Sequence, residues 1–149
     1  MKKISSFLLA AILFLSASSF AHTGEPSAKI QSEFKLRFTN AENIKWSAVS
    51  DLYKADFAQE GLYLSVFLDA DGKMVSVSRN IDRSTLPLLL GKKLEDKFKA
   101  YWLSELFEVN DSAGVSYYAT LQNANEEITL SSDGNYWSVY KKIKKDLAQ

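Results

Sequence analysis

Apolar residues recur every four positions at Ile30, Phe34 and Phe38, with Lys29, Gln31, Glu33, Lys35 and Arg37 between them. That spacing predicts an amphipathic helix over Ala28 to Thr39. Asn40-Ala41-Glu42-Asn43 ends it, Ile44 to Trp46 starts a strand, and Ser47 to Asp51 turns into the next. There the period changes to two. Tyr53, Ala55 and Phe57 share one face and Lys54 and Asp56 the other, the pattern of an antiparallel sheet covered on one side. Leu62, Leu64, Val66 and Leu68 continue the apolar face, while Tyr63 and Phe67 project from the opposite one. Asp71-Gly72 is a hairpin signal, and Met74 to Val77 leaves it as a further strand.

The same order returns downstream. Ser84 or Thr85 can cap a second helix with Pro87 in its first turn, where a missing N–H costs nothing. Leu90, Leu94 and Phe98 form its apolar stripe. Trp102 to Val109 is the next strand and Asn110 to Gly114 a turn. Tyr117-Tyr118-Ala119-Thr120-Leu121 then matches Tyr53-Lys54-Ala55-Asp56-Phe57. Glu127 to Leu130, the Asp133-Gly134 turn and Tyr136 to Tyr140 complete the second copy. The offset between copies falls from 64 at the tyrosines to 62 at the Asp-Gly turns, so the length difference sits in a turn, where it is tolerated. The expected fold class is α+β: two helix-plus-four-strand antiparallel repeats forming a sheet with helices packed on one face.

Lys2-Lys3 followed by the apolar run Phe7 to Leu15, with Ser19-Phe20-Ala21 behind it, has the regions of a secretory signal peptide. The run is shorter than the roughly 20 residues a spanning helix needs. Cleavage after Ala21 is expected, leaving 128 residues in the periplasm or outside the cell and no membrane association thereafter. The expected organisation is signal peptide 1–21, flexible leader 22–27 and one domain over 28–149. Without Lys2 and Lys3 there are 16 basic against 18 acidic residues, so no field attracts nucleic acid. With no cysteine, disulfides, thiolate metal sites and thiol nucleophiles are excluded together.

Candidate chemistry is sparse. His22 is the sole histidine; as a mature N-terminus it could begin a copper site, but further imidazoles are lacking. Asp69-Ala70-Asp71-Gly72 opens like a calcium loop yet lacks the closing glutamate, and reads as a hairpin turn. Asp56, Glu60, Glu105, Glu108 and Asp111 are available for a glycosidase pair but lie in no motif. Phosphate loops, serine elbows and metal-spaced clusters are missing, so the chain reads as non-enzymatic, without cofactor or metal.

Aromatic residues are the surplus. Strand alternation sends the neighbours Tyr117 and Tyr118, and Tyr136 and Trp137, to opposite faces. With Tyr117, Tyr136 and Tyr140 in the core, Tyr118 and Trp137 join Tyr63 and Phe67 on the uncovered face. These four are the expected partner-binding residues, an exposed aromatic patch suited to protein contact.

Ile44-Lys45-Trp46, Tyr53-Lys54-Ala55-Asp56-Phe57, Asp69-Ala70-Asp71-Gly72-Lys73, Leu86-Pro87, Tyr117-Tyr118-Ala119-Thr120-Leu121 and Asp133-Gly134, in that order, carry a resemblance. Over Ala28 to Ile143 the chain resembles the PepSY-like, β-lactamase-inhibitor-like domains of secreted Bacteroidetes proteins. The resemblance implies a helix-and-four-strand unit used twice, a signal peptide and no catalytic residues to transfer; related domains act as protein inhibitors or as sensory and regulatory modules. The expected function is an exported, non-catalytic module binding a protein or peptide through its sheet face. The alternative is a small-ligand carrier with an aromatic pocket between helix and sheet.

Overall fold

The computed structural model describes residues 25–145. The expected signal peptide and His22 lie outside them. Two helices and eight strands follow in the order α1 (Ala28–Arg37), β1 (Glu42–Val49), β2 (Leu52–Gln59), β3 (Leu62–Leu68), β4 (Met74–Asn80), α2 (Leu88–Lys97), β5 (Trp102–Asp111), β6 (Gly114–Gln122), β7 (Glu126–Ser132) and β8 (Ser138–Lys144). The strands hydrogen-bond in chain order into an eight-stranded antiparallel sheet. The fold is α+β, as the periodicity implied. Contacts divide the chain into two compact units, one running to Val77 and including Asp111–Ala113, the other comprising Ser78–Asn110 and the chain from Gly114 onward.

In the first unit α1 starts where the Ser27 hydroxyl accepts from the Ile30 N–H, satisfying one of the orphan donors of a helix start. Its four-residue stripe lands Ile30 and Phe34 on Ala55, Phe57, Val66 and Leu68, with Phe38, Trp46, Tyr53 and Leu64 around the margin. Phe34 is the centre, its ring 5.0 Å from Phe38, 5.2 Å from Trp46 and 5.0 Å from Phe57. The contacts with Trp46 and Phe57 are edge-on, an arrangement that adds to the burial of area. The Asp69–Lys73 turn comes back against α1: a Cβ at Gly72 would stand 3.2 Å from Glu33 Cγ and 3.5 Å from Ile30 Cα.

The second unit departs from the expectation at its helix start. Arg83–Thr85 form a 3-10 turn, and no side chain caps α2, whose N-cap position is Pro87. Neither Ser84 nor Thr85 acts as the cap. A residue before proline is pushed into extended backbone, and Leu86 sits at φ −61°, ψ 146°, so the helix starts only after the ring. Leu94 then packs with Leu86, Leu106, Ala119, Leu121, Ile128 and Leu130. β8 also starts later than the pattern implied, at Ser138, leaving Tyr136 and Trp137 in the preceding loop.

β1 and β8 are the terminal strands. Both are irregular: β1 shifts register between Glu42 and Lys45, with Asn43 at φ 56°, and β8 bulges opposite Thr129 and Leu130. Lys141, Lys142 and Lys144 line β8. Bulges and lysines are the usual guards of a sheet edge.

Candidate binding surface

On the first unit's sheet face away from α1, Lys54, Asp56 and Ala58 of β2 stand opposite Phe67, Ser65 and Tyr63 of β3. Lys54 Nζ lies 2.8 Å from Asp56 Oδ1, which also accepts from the Ser65 hydroxyl. The Asp56 carboxylate is thereby committed to two neighbours and is poorly placed to act as a base. Glu60 and the next residue, both at positive φ, form the two-residue turn joining β2 to β3. Tyr63 stands just past that turn, 76% exposed. Phe67, four residues on and on the same face, is fully buried at 0%.

In the second unit Tyr118 lies on the face away from Ala119 and Leu121 and is 5% exposed, its ring edge-on to Tyr140 at 6.1 Å. Burial raises the Tyr140 phenol above its ordinary value. Trp137 is on the other side. It packs against the Leu94 cluster, and its Nε1–H donates to the Leu90 carbonyl at 3.0 Å. The exposed neighbour is Tyr136, at 71%, with Lys93 Nζ 3.9 Å from its ring centre and donating to the Asn135 carbonyl. This corrects the expected exposure of the four residues: only Tyr63 is open, Phe67 and Tyr118 are buried, and Trp137 is half-buried under α2. Tyr136 and Trp137 do not alternate as expected because they lie in a loop, where period two does not hold.

The remaining acids have local work. Asp69 Oδ1 accepts from the backbone N–H of Asp71 and Lys73 at 3.0 and 2.9 Å, the use a turn makes of an aspartate. Glu108 pairs with Arg79 at 2.8 Å, Glu105 accepts from the Thr120 hydroxyl at 3.2 Å, and Asp111 accepts from Ala113 N–H at 2.7 Å. Glu126 accepts from the Tyr101 hydroxyl and pairs with Lys142 at 2.8 Å. Those two hydrogen bonds hold the Glu126 carboxyl below its ordinary value; in return the Tyr101 phenol and the Lys142 ammonium are raised.

Sequence reasoning passed over Leu88 and Leu89, both exposed at the start of α2. The signal was present: of three consecutive leucines, only Leu90 is in phase with Leu94 and Phe98. Among the described residues no helix is long and apolar enough to cross a membrane.

No protein-family model and no curated protein matches the chain. Solved structures with this fold include a protein of Bacteroides eggerthii described as periplasmic, 16% identical with a TM-score of 0.71 over 81% of this chain and 90% of that one. A DUF2874 family protein of Bacteroides uniformis is 14% identical, TM-score 0.70, over 79% and 88%. A BLIP-like protein of Bacteroides fragilis is 19% identical, TM-score 0.65, over 85% and 89%. At these identities the likeness establishes the fold, and it is the β-lactamase-inhibitor-like one that the resemblance implied. The neighbours say nothing of the PepSY half of that expectation.

Proposed function

We propose that the chain is an exported, non-catalytic module that binds a protein or peptide in the periplasm or outside the cell, through the first unit's sheet face around Tyr63. The carrying observation is Tyr63 itself, a large aromatic left 76% exposed on a regular strand beside a fixed polar row, Lys54, Asp56 and Ser65. Tyrosine on a rigid element is the residue type that anchors protein interfaces, because it contributes area at low entropic cost. The periplasmic description of the Bacteroides eggerthii neighbour supports the location. The BLIP-like name of the Bacteroides fragilis protein supports inhibition or regulation of an exported protein, although a fold hosts many functions. No observation favours the ligand carrier: Phe34, Phe38, Trp46 and Phe57 fill the space between α1 and its strands.

The test is a pull-down from periplasmic and envelope extract with the chain from His22 to Gln149, followed by mass spectrometry, repeated with Tyr63→Ala. A dominant partner lost in the variant supports the reading. Undiminished retention by folded Tyr63→Ala removes this surface, and an empty result with folded bait removes the reading of Tyr63 as a protein anchor.

A further inference from the structure

β5 outruns its neighbour. Ile81 N–H donates to the Leu106 carbonyl at 3.0 Å, and Arg79 faces Glu108 at 2.8 Å, which sets β4 and β5 antiparallel with Arg83 due opposite Ser104. The chain has left the sheet by then. Asp82 leads into the Arg83–Thr85 turn, closed by Thr85 N–H to the Asp82 carbonyl at 2.9 Å, and Leu86 turns into the core. Trp102 to Glu105 therefore continue without β4 beside them. In a strand, the N–H and C=O of alternate residues point to the same side. The Leu106 carbonyl points toward β4, so the Ser104 N–H and C=O do too.

The space left is a groove of about 340 Å³, with Asn80 to Arg83 on one side and Leu103 to Leu106 on the other. Asp82 and Glu105 border it as carboxylates, and the one cation in its lining, Arg83, is held 3.3 Å from Glu95. Unlike β8, this length of edge, Trp102 to Glu105, carries no lysine and no proline.

We propose that this open edge receives an extended segment of a partner protein, about four residues long or ~13 Å, which adds to β5 as a strand and carries a basic side chain toward Asp82 and Glu105. Backbone hydrogen bonds to Ser104 supply the attachment and the carboxylates the preference. This site is separate from Tyr63 and stands whether or not that surface binds.

The probes are the capped hexapeptides Ser-Val-Lys-Val-Thr-Ser and Ser-Val-Glu-Val-Thr-Ser, titrated into the 15N-labelled chain with amide exchange followed residue by residue. The Ser104 amide should exchange fast in the free protein and slow by at least about tenfold, one decade of opening free energy, with saturating lysine peptide. Shifts should centre on Leu103 to Leu106. The glutamate peptide should bind about threefold more weakly, the size of one exposed charge pair, and the exposed substitution Asp82→Lys should erase that preference. Three results would overturn the proposal: a Ser104 amide as protected in the free monomer as that of Glu105, no shift at millimolar lysine peptide, or protection that grows with protein concentration alone, which would make a second copy the occupant.

Discussion

Phe34→Ala tests whether the first unit is organised around one ring. The side chain is 1% exposed and touches Phe38, Trp46 and Phe57 at centroid distances of 5.0 to 5.2 Å. Truncating a buried phenylalanine costs about 3–5 kcal/mol. Three aromatic neighbours lose their partner at once, and the strands beneath cannot collapse into the gap without breaking their ladder, so the expected loss lies near the upper end, about 4 kcal/mol. Against a total stability of roughly 5–15 kcal/mol, that is a large share. The assay is urea unfolding followed by far-UV circular dichroism and by tryptophan fluorescence, since Trp46 lies against the deleted ring. With a slope of about 2 kcal/mol per molar, the midpoint should fall by about 2 M. Leu36→Ala is the control: on the same helix but 72% exposed, it should change stability by less than about 0.5 kcal/mol. A Phe34→Ala loss below about 1 kcal/mol would mean that the unit is not organised around this ring, because no buried, fully surrounded ring should be so dispensable.

Gly72→Ala should cost about 1–2 kcal/mol, since Gly72 sits at φ +82° where a Cβ is unfavourable and close to Glu33; Gly61→Ala, at the similar φ +78° with open space around it, should cost less. Thermal melts of both variants check the order, and equal losses would remove the contact with α1 as a cause. Trp137→Ala should destabilise the second unit by about 2–3 kcal/mol, below the full value because the ring is only half-buried, whereas Trp137→Phe should lose only about 1 kcal/mol for its hydrogen bond to Leu90; an alanine variant of native stability would return Trp137 to the surface. The Glu126 carboxyl is held below its ordinary value of 4.5 when folded, so its contribution is present above that pH and lost as pH falls through the lowered value. Melting temperatures of native and Glu126→Gln chains should therefore differ at pH 7 and converge in strong acid. For Tyr101, raised from 10.0, and Lys142, raised from 10.5, the loss falls on the alkaline side, as pH climbs past those values.

The elements were legible because each is governed by neighbours in sequence. Ile30 and Phe34 repeat at the helical period, Tyr53 to Phe57 alternate at the strand period, and Asp-Gly turns separate the strands. β3 begins and ends at Leu62 and Leu68 as its pattern required. The start of α2 was less legible, because Pro87 holds Leu86 in extended backbone and so displaces the cap that Ser84 or Thr85 offered.

The surface is where local reasoning ended. Alternation correctly sent Phe67 and Tyr118 away from the helices, yet a face turned from a helix is not thereby open to water, and both are buried. Trp137 was assigned by a period that does not operate in its loop, and its place under α2 depends on the Leu90 carbonyl, 47 positions earlier in the chain. The groove beside Ser104 exists because β4 stops before β5 does, a mismatch between two strands that neither strand's own residues express. The period and order of the elements follow from side chains within a few positions of one another, and so could be read along the chain. Which aromatic is exposed and which strand edge is uncovered could be read only from the folded chain, because exposure is a property of what distant parts of the chain bring near.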